Sequence, residues 1–221
     1  MGHRSVVVVA GGERASPLAP LALPANAVVI AADSGVDHAY AMGLCIDVAI
    51  GDFDSISQEG LARAESDGVR IERHPAAKDL TDLELALDEA LRVGADELVV
   101  LGIGGGRLDH LTANLLLLAS PKFAACRITA LDGPVRVHVV HGGHPATVLP
   151  GEVGELLTLL PIGSAASGIT TEGLRYPLRR EVLAPGTSRG VSNVVDASPP
   201  SVQLEAGTLL AIFPGQGDND A

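Results

Sequence analysis

Two aspartates one residue apart, in Gly51-Asp52-Phe53-Asp54-Ser55, are the densest chemical signal in the sequence. They follow the apolar run at 48–50, which reads as a buried strand, and open α/β sheets bind ligands at the carboxyl ends of their strands. If the chain stays extended, Phe53 points away from its neighbours and Asp52 and Asp54 share a face. Two hard oxygen ligands on one face suit Mg²⁺, which takes a few carboxylates and completes its shell with substrate phosphates. The plainer use of Asp54 or Ser55 is to cap the helix that follows.

Three further clusters sit where strands should end. Asp33 follows the run 28–32 and precedes Ser34-Gly35, a context that also suits an ordinary turn. Lys78-Asp79-Leu80-Thr81-Asp82 opens a helix, whose dipole would favour Asp82 in its first turn whatever the chemistry. Gly102-Ile103-Gly104-Gly105-Gly106-Arg107-Leu108-Asp109-His110 joins a strand to a helix. Such glycines let backbone N–H groups approach phosphates, and Arg107 adds a permanent bidentate donor. Arg107 occupies the place of the third glycine of a dinucleotide fingerprint, and no Gly-Lys pair exists to make a P-loop. His110 taken alone reads as helix surface. Together the clusters point to metal-assisted phosphoryl chemistry that works by positioning and charge neutralisation. The residues themselves go no further than Mg²⁺ and a phosphorylated ligand.

Positioning these acids requires a sheet. Residues 6–10, 28–32, 48–50, 97–103 and 127–131 read as buried strands, and 57–67, 81–93 and 109–119 as helices. In the second helix Leu83, Leu87, Ala90 and Leu91 share one face, Thr81 and Glu84 form a capping box, and Gly94 supplies a stop. The alternation predicts a mostly parallel, Rossmann-like α/β sheet covered on both faces, over residues 1–134. From 135 to 221 short runs at 135–140, 155–160, 168–171, 192–195 and 209–213 are cut by Gly and Pro, the texture of an all-β sandwich. The polar tail 215–221 reads as frayed.

Composition narrows the classes. A formal net charge of −12 argues against nucleic acid as a partner, because phosphate backbones need a basic footprint. It does not disfavour a nucleotide bridged by divalent ions, and a cationic small substrate is at ease near such a surface. No apolar stretch is long enough to span a bilayer, the N-terminus lacks a secretory leader, and Cys45 and Cys126 form no evident framework. A cytoplasmic location is expected.

The motifs Ala32-Asp33-Ser34-Gly35, Ile50-Gly51-Asp52-Phe53-Asp54-Ser55, Lys78-Asp79-Leu80-Thr81-Asp82 and Gly105-Gly106-Arg107-Leu108-Asp109-His110 resemble those of the thiamine pyrophosphokinase family. In the β-rich half, Gly173-Leu174-Arg175-Tyr176-Pro177-Leu178 and Gly190-Val191-Ser192-Asn193 also fit, so the resemblance runs along nearly the whole chain. It implies an α/β domain that binds ATP and Mg²⁺, a C-terminal β-sandwich, and a homodimer that binds thiamine between subunits. The implied reaction takes ATP and thiamine to AMP and thiamine diphosphate. By this likeness Asp52, Asp54 and Asp82 hold the metal and Asp33 is a further acid at the same edge; a nearby carboxylate, Asp82 by preference, is expected to take the hydroxyl proton. Arg107, Asp109, Gly105, Gly106, Asp79 and Thr81 serve the nucleotide. Tyr176 stacks on thiamine from the other subunit, with Ser192 and Asn193 as its hydrogen-bonding neighbours. Two positions depart from the usual pattern: Ser34 stands where a glycine is common, and Tyr176 where many members carry Trp. Two other readings remain at this stage, a pyrophosphokinase acting on a hydroxymethylpterin and a non-catalytic sensor of thiamine diphosphate or nucleotide.

Overall fold

A computed structural model describes residues 3–12 and 23–215, so the tail proposed as frayed falls, beyond Gly215, outside the described residues. The chain forms two compact units, residues 1–117 with 125–133, and residues 118–124 with 134–221.

The first unit is built on six strands: β1 (Ser5–Val9), β2 (Val28–Ala32), β3 (Val48–Gly51), β4 (Arg70–Arg73), β5 (Glu97–Leu101) and β6 (Arg127–Asp132). All pair in parallel, in the order β6-β5-β1-β2-β3-β4. Val6 to Val9 are all buried, as expected of a central parallel strand covered on both faces. The helices are α1 (Gly35–Ala41), α2 (Gln58–Ser66), α3 (Asp82–Arg92) and α4 (Leu108–Leu118). Ser57 caps α2 by accepting the Gly60 N–H, and Thr81 caps α3 by accepting the Glu84 N–H at 3.2 Å. The apolar face of α3 is buried at Leu83, Ala86, Leu87 and Ala90. Glu89 is buried too; burial alone would raise its carboxyl pKa, but Arg92 and Arg70 bind it and hold it below the ordinary value.

Two elements of the first unit escape the sequence pattern, as do the strands at 147–148, 179–183 and 201–203 of the second. β4 reads Arg-Ile-Glu-Arg, an edge strand whose charge blunts further pairing and hides its strand character. Helix α1 has seven residues and no side-chain cap at Ser34, so neither period nor cap marks it. β5 ends at Leu101, two residues short of the expected strand, because Gly102 turns the chain at φ +69°.

The second unit contains β7 (Val135–His141), β8 (Thr147–Val148), β9 (Leu156–Pro161), β10 (Ala166–Glu172), β11 (Arg179–Leu183), β12 (Asn193–Val194), β13 (Ser201–Gln203) and β14 (Thr208–Phe213). They form two antiparallel layers, β12-β9-β14-β7 and β11-β10-β13-β8. Leu157, Leu159, Leu209 and Phe213 from one meet Ile169, Leu183 and Val202 from the other in a shared core. This is the expected sandwich. Among the described residues no helix is long and apolar enough to cross a membrane.

The turn from β2 into α1 brings α1 directly onto β1. A Cβ at Gly35 would lie 2.1 Å from the Val9 carbonyl oxygen, so this close approach requires glycine. Gly35→Ala is expected to destabilise the protein by about 1–3 kcal/mol, the usual cost of overpacking, read as a lower urea midpoint. An unchanged midpoint would contradict the packing described.

Candidate active site

The carboxyl ends of β2 and β3 carry the acids. Asp33 leaves β2 in the left-handed region at φ +48°, a conformation that aspartate tolerates better than most side chains. After β3 the chain does not stay extended: Phe53 takes φ +60°. Asp52 and Asp54 are therefore brought together by a turn, not by strand alternation. The turn is anchored because the Phe53 side chain is buried in the core of this unit, with Arg73 over its ring at 5.1 Å. Asp33, Asp52 and Asp54 each offer a carboxylate oxygen, and these three atoms lie within 4.8 Å of one another.

Like charges so close must be compensated. The Ser55 hydroxyl donates to Asp54 Oδ1 at 2.7 Å, and the Asp54 N–H reaches Asp52 Oδ1 at 3.3 Å. Asp33 Oδ1 is buried with no hydrogen-bond partner. Burial, with the charges of Asp82 and Asp54, raises the Asp33 carboxyl pKa above its ordinary value, against the opposing hydrogen bond from the Ser34 backbone.

Asp82 enters from the first turn of α3. A Cβ on Gly51 would meet Asp82 Oδ1 at 3.1 Å and the Asp33 Cα at 3.3 Å, which shows how tightly these acids close over the end of β3. Asp82 is nevertheless not one of the compact trio. Its Oδ1 lies 2.9 Å from Lys78 Nζ, which also stands 3.5 Å from Asp52 Oδ2. Burial works against the Lys78 charge, but Asp82 and Asp52 outweigh it and hold the ammonium pKa above its usual value. The sequence reading gave Lys78 no role, although it is one of only two lysines and stands in an acidic motif.

Beside the acids lies a cleft of about 680 Å³, within the range of small-molecule sites. Asp33, Asp52, Asp54, Thr81, Asp82, Gly105, Arg107 and Asp109 line it, as does His110. Gly106 and Asp79 are not among its lining residues, and Asp79 is exposed. Arg107 and Asp109 pair with each other, Nη2 to Oδ2 at 2.6 Å and Nε to Oδ1 at 3.2 Å. The Arg107 hydrogen bond brings the Asp109 carboxyl down to about 2. Asn114 staples α4 to the glycine loop by donating to the Ile103 carbonyl at 2.9 Å. Gly11 and Gly12, at the end of β1, also line the cleft, and Ser34 Oγ donates to the Gly11 carbonyl at 3.3 Å. A glycine pair directly after a valine run was the signal for them.

In the second unit, Tyr176 is 65% exposed, a large aromatic face left to solvent. Asn193 is buried behind it. Its Oδ1 accepts the Tyr176 N–H at 3.1 Å and its Nδ2 donates to the Tyr176 carbonyl at 2.8 Å. Most of the Asn193 amide is thus engaged in holding the tyrosine backbone. Ser192 adopts φ +57° and its N–H donates to Thr158 Oγ1 at 3.0 Å, which leaves Ser192 exposed beside Asn193.

Residues 20–130 match the family model for the thiamin pyrophosphokinase catalytic domain, and residues 147–209 that for the thiamin pyrophosphokinase vitamin B1 binding domain. A thiamine pyrophosphokinase of Bacillus subtilis is 29% identical over 183 residues, which is 83% of this chain and 85% of the relative. A rice thiamine pyrophosphokinase 1 is 30% identical over 68% of this chain, which spans 59% of the length of that relative. The crystal structure of the Bacillus subtilis enzyme superposes with a TM-score of 0.82 at 27% identity, covering 95% of this chain and 98% of that one. A family protein from Enterococcus faecalis gives 0.80 at 28% identity, over 97% and 100%. With its acid cluster inside the first matched region and most of the strands of its sandwich inside the second, the chain belongs to the thiamin pyrophosphokinase family.

Proposed function

We propose that this chain transfers a pyrophosphoryl group from ATP to the hydroxyl of thiamine, releasing AMP. The observation that carries the reading is the convergence of Asp33, Asp52 and Asp54 at the strand ends, beside a glycine-lined cleft of nucleotide size. The match of residues 147–209 to a vitamin B1 binding domain favours thiamine over a pterin, and the full set of acids favours an enzyme over a sensor.

The acids fit a divalent cation. Asp33 Oδ1 is a buried carboxylate oxygen without a hydrogen-bond partner, in a hard-oxygen trio of the kind Mg²⁺ prefers. Asp52, Asp54 and Asp33 are the residues that would hold it, with Asp33 better placed than Asp82 as the third. The ion, when bound, neutralises phosphate oxygens and the charge that develops on them. Gly11, Gly12 and Gly105 offer backbone to the polyphosphate, while Arg107, oriented by Asp109, meets its outer oxygens. Asp82, outside the trio, is the carboxylate available to take the hydroxyl proton as the oxygen attacks the β-phosphorus and AMP departs.

Thiamine is assigned to the Tyr176 face, where an exposed ring suits a cationic, planar ligand and Asn193 holds the ring's backbone in place. We further propose a homodimer in which Tyr176 of the partner subunit completes the acid site. Exposed apolar side chains support association: Leu108 and Leu116 on α4 are 76% and 52% exposed, and Val191 and Leu156 are exposed in the sandwich. Cys45 and Cys126 are both free thiols, which fits a reducing, cytoplasmic setting.

Purified protein with Mg-ATP and thiamine is expected to form AMP and thiamine diphosphate in equal amounts, and none with a hydroxymethylpterin. ADP as the nucleotide product would contradict the reading. Asp54→Asn is expected to lower kcat by roughly 100-fold or more, the scale seen when a key electrostatic group is lost, with the far-UV spectrum unchanged. Wild-type turnover would remove Asp54 from the chemistry.

Asp33 gives a test that needs no turnover. A carboxyl pKa raised by folding means that its ionised form opposes the folded state at pH 7. Asparagine keeps the shape and tolerates the left-handed backbone. Asp33→Asn is therefore expected to raise the Tm of the metal-free protein at pH 7. The gain should shrink as pH falls below the ordinary carboxylate range, where Asp33 is protonated in both states. A lower Tm at pH 7 would contradict this account of Asp33.

A further inference from the structure

The chain has 15 Lys and Arg residues, of which two are lysines, and one of these, Lys78, is built into the acid cluster. Its ammonium joins two segments, standing 2.9 Å from Asp82 Oδ1 at the start of α3 and 3.5 Å from Asp52 Oδ2 after β3. All three side chains are well shielded, at 13%, 24% and 15% exposure, so solvent screens the interaction less than it would on the surface. Asp52 is also a member of the trio with Asp33 and Asp54. One carboxylate is therefore claimed from two sides: its Oδ2 faces Lys78, and its Oδ1 faces the trio's Asp54 N–H.

We propose that Lys78 is a tethered counter-ion, which holds Asp52 and Asp82 together in the metal-free protein and competes with the divalent cation for Asp52. This rests on the magnesium reading above and adds a control to it. Without nucleotide, a cation entering the trio meets an acid already partly neutralised by the ammonium. Lys78 does not itself line the cleft, but its partners Asp52 and Asp82 do. With a triphosphate bound there, phosphate oxygens would come within reach of the ammonium's flexible stem and would give the cation further ligands. Metal loading is thereby coupled to nucleotide binding, and by linkage the coupling is reciprocal. Lysine suits this role better than arginine, whose planar fork would lock onto a carboxylate with two bonds, while an ammonium on a flexible stem changes partners readily.

The test follows Mn²⁺ binding by electron paramagnetic resonance of the free ion, with and without α,β-methylene-ATP, whose bridging carbon blocks transfer. Lys78→Gln and Lys78→Met are checked for folding by circular dichroism. In the absence of nucleotide, each is expected to bind Mn²⁺ about tenfold or more tightly than wild type, the effect of removing one unit charge at contact distance. The gap should narrow when the analogue is present. Tightening is diagnostic, because a merely damaged site would bind the ion less well. Lys78→Arg keeps the charge and is expected to bind no more tightly than wild type. Tighter binding by Lys78→Arg, or no tightening in the two neutral variants, would overturn the proposal while analogue-dependent Mn²⁺ binding by wild type leaves the magnesium reading standing. Failure of every form to bind Mn²⁺ even with the analogue would overturn both.

Discussion

Mutual repulsion among carboxylates governs the first unit of this protein. Asp33, Asp52 and Asp54 offer oxygens within 4.8 Å of one another, and Asp82 closes over the same strand end. Left to themselves, such groups would move apart into solvent, so the surrounding structure has to hold them. It does so with apolar burial and an internal cation. Phe53 is sunk in the core and fixes a left-handed turn between two of the acids, while Lys78 ties Asp52 to Asp82. Asp33 retains an uncompensated buried oxygen, and its raised carboxyl pKa reflects that cost. Backbone strain and unpaired polar atoms of this kind are maintained where function needs them.

On the proposed reading, the rest of the cleft serves the other half of a phosphoryl transfer. Backbone from the ends of β1 and β5 offers a surface without side chains, and α4 begins directly beyond it. Arg107 is already oriented by Asp109, so less freedom would be lost in the proposed contact with a phosphate. In the sandwich unit the same logic appears on a smaller scale. Asn193 spends its amide on the Tyr176 backbone, so that an exposed ring sits on a fixed support. Rigid support beneath a reactive or adhesive group is common to both units.

Much of this was legible in the sequence because it depends on local rules. The cap at Thr81, the apolar face of α3 and the strand runs before Asp33 and Asp52 follow from periodicity and side-chain chemistry, and the parallel sheet follows from their alternation. Helix α2, by contrast, is capped by Ser57 and not by the expected Asp54 or Ser55. What was hidden depends on partners far away in sequence. Extended geometry through Phe53 was the natural expectation, and burial of its ring against distant strands overrides it. Nothing local gives Lys78 a role, which comes from Asp52, 26 residues earlier in the sequence, standing beside it in the fold. That Asp33 and not Asp82 groups with Asp52 and Asp54 is likewise a matter of three-dimensional distance. The likeness gives Asn193 a hydrogen bond to thiamine, and only the fold shows that its amide also holds the Tyr176 backbone.

The central claim is that these acids share one divalent ion with a triphosphate. Anomalous diffraction from crystals grown with Mn²⁺ and an unreactive ATP analogue tests it most directly. The account expects a manganese peak about 2.1 Å from oxygens of Asp52 and Asp54, near the hexacoordinate distance, with phosphate oxygens completing the shell. A peak bound elsewhere, or a triphosphate seated in the cleft with no ion between it and these carboxylates, would contradict it.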